Sequence, residues 1–243
     1  QLRWLMEYTS VQYNGSQYHQ NGAINAWNAF QLYDTFARIY GKTSVDTSNE
    51  MALAAWDSLT EKNLGNKKGK FVILASNQSF PDSLSAGALS YLLDTPILLT
   101  YPSRLNQSTV DTLRKLGATD VAILGGTVAV SQAVENNLEK NGFGTLRLKG
   151  DNRYKTASII NEYIAKPNGT VIVANGRSFP DALSISSFSA SLQIPIVFVE
   201  KDKIPKETQE FLNKYKFSKT YVVGGTGVVS DKVLQSLPNP QRL

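Results

Sequence analysis

The chain has 243 residues, enough for one large domain or two small ones with proper cores, and its 42% hydrophobic content is ordinary for a globular protein. It contains no cysteine and 1 histidine, which excludes disulfides, thiolate nucleophiles and Cys-ligated metals and leaves His19 a poor basis for a zinc site or a hydrolytic triad. The 25 Lys and Arg against 20 Asp and Glu leave a net charge of +5, which favours a polyanionic partner (nucleic acid, anionic lipid or a phosphate-bearing wall polymer), and no apolar run reaches the roughly 20 residues that span a bilayer.

The first segment, 1–37, is rich in Trp and Tyr (Trp4, Tyr8, Tyr13, Tyr18, Trp27, Tyr33) and matches nothing later in the chain. It shows no secretory-signal pattern, and the missing initiator Met is expected of a processed or excised piece. Residues 23–37 have the spacing of a helix that places Ile24, Trp27 and Phe30 on neighbouring positions. The segment is expected to be a packed extension or the end of a preceding domain. The absence of cysteine fits an exported protein.

From about residue 38 the chain repeats itself. Arg38, Gly41 and Thr47 match Arg147, Gly150 and Thr156. Ser79-Phe80-Pro81-Asp82 recurs as Ser178-Phe179-Pro180-Asp181, 99 residues on by direct count. Pro96-Ile97, Gly125-Gly126-Thr127 and Val130-Ser131 recur at the same offset. A constant offset over such a stretch is the mark of duplication. The first copy is placed at 38–145 and the second at 146–243, with the polar 63–69 stretch as an inserted surface loop and Lys67-Lys68-Gly69-Lys70 as a solvated basic cluster.

Each copy has one rhythm. Continuous apolar runs at 71–75, 96–100 and 121–124, and again at 171–174, 195–199 and 221–223, predict strands buried on both faces. Stretches of helical length, such as 81–93 and 107–117, lie between them. Leu146-Arg147-Leu148 predicts a further strand opening the second copy. The expected fold class is α/β, as two tandem repeats, each a mostly parallel β-sheet flanked by helices.

In open parallel sheets ligands bind beyond the carboxyl ends of the strands, and the recurring motifs fall there. Ser79 and Ser178 have the position of helix N-caps, Pro81 suits a first turn, and Asp82 and Asp181 oppose the helix dipole. A second reading gives the two aspartates a ligand role, either paired with an arginine (Arg153, Arg147 or Arg177) that also holds an anion, or accepting from sugar hydroxyls. The Gly-Gly-Thr loops read as sharp turns before Ser131 and Ser230 as caps, with anion binding as the alternative.

Arg147-Leu148-x-Gly150-x-Asn152-Arg153-Tyr154-x-Thr156-Ala157, followed by Ser178-Phe179-Pro180-Asp181-Ala182-Leu183, Pro195-Ile196 and Val223-Gly224-Gly225, closely resembles the type 2 cell-wall-binding repeat family. The resemblance covers both copies. It implies a secreted protein of the cell wall or cell surface, held non-covalently to an anionic cell-wall polysaccharide or teichoic-acid-like polymer of Gram-positive bacteria. It implies no chemistry by the repeats; no cofactor and no metal are expected, nor nucleic acid, nor membrane insertion. The family's Pro-Ile-Leu-Leu motif, implicated in polymer contact, falls at Pro96-Ile97-Leu98-Leu99, where the residues themselves read as a buried strand with an indirect role. The second copy matches it more loosely.

The candidate ligand residues are Arg153, Arg147, Arg177, Asp181, Asp82, Arg38, Ser79 and Ser178. The first copy departs from the family string: Ser44 stands at the place of Arg153, Val45 at that of Tyr154 and Gln78 at that of Arg177. It is therefore expected to bind weakly or to serve as a packing partner. Family members commonly carry three repeats around a pseudo-threefold axis, so two repeats pack as a pair or self-association completes the ring. Two alternatives stand beside wall attachment: a fragment of a peptidoglycan-degrading enzyme using Asp82 and Asp181, and an extracellular structural protein whose repeats bind each other or a protein partner.

Overall fold

The computed structural model describes residues 10–11, 23–24, 38–166 and 169–243. The chain divides into two compact units, 1–39 and 40–243. In the first, β1 (Ser10–Val11) pairs antiparallel with β2 (Ala23–Ile24). The helix expected over 23–37 therefore does not begin at Ala23, and its remainder lies outside the described residues.

The second unit opens with α1 (Ser44–Ala55), whose N-cap Thr43 accepts a hydrogen bond from Asp46 N–H. The 63–69 stretch is a hairpin of β3 (Lys62–Leu64) and β4 (Lys67–Gly69), where a plain loop was expected. Gly65-Asn66 make its two-residue turn, and Leu64 anchors it in the core. The basic cluster is partly tied down as well: Lys67 donates to Thr145 O at 2.7 Å, and Lys68 pairs with Glu61 at 2.9 Å.

The first sheet contains β5 (Phe71–Ser76), β6 (Ile97–Thr100), β7 (Asp120–Leu124) and β8 (Gly144–Leu148), all parallel, in the order β6-β5-β7-β8. Its connections carry α2 (Phe80–Ser85), α3 (Gly87–Leu93), α4 (Gln107–Lys115) and α5 (Gln132–Lys140). Then come α6 (Arg153–Asn161), β9 (Thr170–Asn175), α7 (Phe179–Leu192), β10 (Ile196–Val199), α8 (Lys206–Tyr215), β11 (Lys219–Val222), α9 (Asp231–Gln235) and β12 (Pro240–Arg242). The second sheet, β10-β9-β11-β12, repeats the topology of the first, again all parallel. The α/β duplication read from the sequence is the architecture of the protein.

Two local expectations change. The helix expected over 81–93 is broken at Ala86 into α2 and α3, while its counterpart α7 is continuous. The strand containing Arg147 joins the first sheet, pairing with β7 in the register Ile123↔Arg147, rather than opening a sheet in the second copy.

Alternation along β5 explains how the copies are joined. Val72 and Leu74 face a core completed by Ala52 of α1, Leu113 of α4 and Leu138 of α5. Phe71, Ile73 and Ala75 face the other side, where Leu89 of α3 and Ile160 of α6 cover them. The same α6 packs Tyr154 and Ala157 against Ile172, Ile196 and Phe198 of the second sheet. A helix from the second copy thus belongs to the cores of both.

Candidate functional site

A groove of about 580 Å³ lies where the carboxyl edge of the first sheet meets the start of α6. The first copy contributes Ser76, Gln78, Ser79, Asp82, Pro102 and the Gly126-Thr127-Val128-Ala129 loop. The chain entering the second sheet contributes Lys149, Gly150, Asp151, Asn152, Arg153 and Thr156. The groove is therefore built by both copies.

The turn before α6 is positioned by its own side chains. Asn152 Oδ1 accepts from Tyr154 N and Lys155 N, both at 3.0 Å, and Thr156 Oγ1 accepts from Gly150 N at 3.0 Å. The same Gly-to-Thr bond, Gly41 N to Thr47 Oγ1 at 3.0 Å, forms the turn before α1. The recurring Gly and Thr of the family string are thus a turn device. They hold Asn152 and Arg153 at the groove, where Asn152 Nδ2 donates to Glu207 at 2.8 Å and Arg153 Nη1 to Gly176 O at 2.7 Å.

Asp82 is 6% exposed, on the groove floor. Burial pushes its carboxyl above the ordinary carboxylate range, opposed in part by the Ser79 hydroxyl, which donates to Oδ2 at 3.4 Å, and by the charge of Arg153. Its carboxylate packs on the first glycine of the Gly-Gly-Thr loop. Gly125 has φ +88, and a Cβ there would stand 2.5 Å from Asp82 Oδ2. Gly224, at φ +100, meets Asp181 in the same way at 2.6 Å. The glycines combine a left-handed turn with room for a carboxylate, which is the turn reading of these loops. The aspartates do not share a site across the copies, since each belongs to its own loop.

The other predicted residues divide between rim and frame. Ser79 and Ser178 occupy the N-cap positions of α2 and α7, yet neither makes a side-chain cap bond. Ser131 caps α5 through Val134 N; Ser230, at the matching place before α9, does not, and its buried hydroxyl has no partner among the described residues. Arg177 is exposed and pairs with Glu200 at 3.3 Å, and the Tyr154 hydroxyl and that carboxylate hold its guanidinium protonated. Arg38 is exposed, within the 1–39 unit.

Arg147 does not fit a ligand contact. It is nearly buried, pairs with Glu135 at 2.8 Å, and donates to Gly125 O at 3.0 Å and Val130 O at 2.8 Å. It straps the ends of the Gly-Gly-Thr loop to β8. In the second sheet Arg242 does this work, donating to Gly224 O at 2.6 Å and Asp231 at 3.0 Å. The Pro-Ile-Leu-Leu motif forms an edge strand with Leu98 fully buried, and α1 covers the edge through Ser48, which accepts from Leu99 N at 2.9 Å. Sequence reasoning missed Lys149, Asn152, Gln78 and Val128 at the groove. The string Lys149-x-x-Asn152-Arg153 was the available signal for two of them.

This is a doubled α/β module with a polar, cation-bearing groove at its seam. The profile of the family described as Cell wall binding domain 2 matches residues 38–135 and 147–234, and the chain belongs to that family. It is 33% identical over 171 residues to the N-acetylmuramoyl-L-alanine amidase LytC of Bacillus subtilis (strain 168), covering 70% of this chain and 34% of that protein. It is 34% identical over 171 residues to the amidase enhancer of the same organism, covering 69% of this chain and 22% of that protein. The chain thus spans about a third or less of these relatives. Among solved structures, Cwp6 from Clostridium difficile shares the fold with a TM-score of 0.72 at 24% identity, over 93% of this chain and 34% of that one. Cwp8 from the same organism does so with a TM-score of 0.71 at 24% identity, over 84% of this chain and 34% of that one. No helix among the described residues is long and apolar enough to cross a membrane.

Proposed function

We propose that this chain attaches a secreted protein non-covalently to the Gram-positive cell wall by binding an anionic secondary wall polymer in the groove between its copies. The observation that carries this reading is that Arg153, Lys149 and Asn152, from the second copy, line one groove with residues at the carboxyl edge of the first. Two cations and several amide and hydroxyl groups suit a chain of charged, hydroxylated units. Asp82 and Arg147 then act as framework: one fills the floor, the other fixes the loop. Arg177, Asp181 and Ser178 form the corresponding rim of the second copy. The repeats themselves catalyse nothing in this reading.

Purified sacculi test it directly. The chain should sediment with sacculi that keep their anionic polymer and stay in solution with sacculi stripped of it. Arg153→Gln should weaken retention on intact sacculi. Equal sedimentation with both preparations would remove polymer recognition.

A second reading, self-association, is favoured by the apolar residues that α7 leaves exposed, Leu183 and Leu192. Sedimentation velocity giving one monomeric species at every concentration would remove it.

A further inference from the structure

The loop after β6 carries a second set of groups that the groove does not use. Its backbone is pinned: Thr100 Oγ1 donates to the carbonyls of Tyr101 and Arg104, both at 3.2 Å, and Pro102 O accepts from Ser131 N at 2.7 Å. On this fixed loop the Arg104 guanidinium lies over the Tyr101 ring, 4.7 Å from its centroid. A guanidinium whose attraction to the ring is electrostatic leaves N–H donors for an anion. Among the described residues no carboxylate pairs with Arg104.

These side chains line a hollow of about 340 Å³ with Gln78, Pro102 and Ser103. Gln78 and Pro102 also line the groove between the copies, so the two spaces share a wall. Val128, 93% exposed, stands on the groove's rim as an apolar contact for a carbon skeleton.

The second copy does not repeat this surface. Glu200, Lys201, Asp202 and Lys203 stand where the first copy has Tyr101, Pro102, Ser103 and Arg104, and Gly227 stands for Val128. Arg177, at the place of Gln78, pairs with Glu200. One rim presents, on an aromatic base, a cation that pairs with no carboxylate among the described residues; on the other, Glu200 takes up Arg177.

We propose that Tyr101 and Arg104 form a second anion subsite, continuous with the groove between the copies, so that the first copy's rim holds two successive charged units of one polymer chain. The proposal rests on the wall-polymer reading and adds to it a minimum ligand: two linked phosphate- or carboxylate-bearing units on a polyol or sugar backbone. Linking the units makes the second contact intramolecular, so affinity rises steeply from one unit to two.

Calorimetric titration of the full chain with glycerol phosphate oligomers of one, two and four units, and with galacturonate oligomers of the same lengths, tests this. The series whose chemistry the site takes should show a gain of about tenfold from one unit to two. Arg104→Gln should abolish that gain while changing one-unit affinity by less than about twofold, because a surface charge across the wall is screened. Lys203→Gln should leave the gain intact, and Arg153→Gln should weaken every length. An unchanged thermal unfolding midpoint would establish that the Arg104 variant folds. A gain that survives Arg104→Gln, or a wild-type protein indifferent to length, would overturn the subsite and leave the wall-polymer reading standing. A wild-type protein that binds neither series would overturn both.

Discussion

Arg147 and Arg153 stand six residues apart on either side of one turn, and their surroundings give them opposite work. Arg147 Nε and Nη2 converge on Glu135 while Nη1 holds two carbonyls, all on a side chain only 9% exposed. Removing one member of a buried pair leaves the other charge stranded. Arg147→Met is therefore expected to cost about 3 kcal/mol in urea unfolding. The matching Arg242→Met should cost about 1 kcal/mol, because Asp231 is 63% exposed and water replaces the lost partner. Equal costs would mean that the first strap is no stronger than the second. The sequence marked both Arg147 and Arg153 as ligand candidates because charge and repetition are visible in it. Which arginine faces solvent depends on β8 pairing with β7 across more than twenty intervening residues, which no local pattern encodes.

Asp82 gives a residue-scale prediction with a sign. Its folded-state carboxyl is raised above the ordinary value of 3.8 by burial. The group therefore contributes its full stability below that ordinary value, and the contribution is lost as pH rises through the raised one. Asp82→Asn removes this titration. The variant should unfold at a higher temperature than the wild type at pH 7, and the two midpoints should converge as pH approaches about 4. A difference that does not change with pH would assign the effect to packing on Gly125 rather than to charge.

Among the elements, α6 decides how the copies cooperate. Ile160 is fully buried in the first sheet's core, while Tyr154 and Ala157, on the same helix, belong to the second sheet's. Ile160→Ala should cost about 3 kcal/mol through lost burial and the cavity left behind. Unfolding should remain a single transition, and hydrogen exchange should show lost protection in β5 and β7, although the substitution lies in the other copy. Two separated transitions would mean that α6 does not couple the sheets. The six strands that rest on apolar runs are visible because continuous runs such as Val171-Ile172-Val173-Ala174 need two covered faces. β12 was missed: Pro240-Gln241-Arg242 has no strand pattern, and its pairing with β11 is supported by Arg242 reaching back to the Gly224 loop. The β3–β4 hairpin was hidden by its polar composition, with Leu64 as its one core-directed signal.

At the scale of the whole molecule, duplication has kept the sheets alike and let the rims diverge. The fold follows from apolar periodicity; the rims carry the charges to which the proposed reading gives the ligand. Reading each copy as its own site made the first look impoverished, since Ser44 replaces the family arginine there. In three dimensions Arg153 lines a groove together with residues of the first copy's carboxyl edge, while its Nη1 donates to Gly176 O of the second copy. The second rim is limited instead by Glu200, which neutralises Arg177 in an exposed pair with side chains 74% and 36% accessible. Glu200→Gln should thus release a cation for a polyanion without loss of stability, since an exposed pair contributes about 0–1 kcal/mol. Retention on intact sacculi should tighten by about two- to fivefold in low salt, and the gain should fade as added salt screens the freed charge. The measurement is the bound fraction across a salt series, with thermal unfolding in parallel. Unchanged retention at every salt concentration would mean that only the seam between the copies touches the polymer, and that the second sheet's role in binding is to hold α6 and its arginine in place.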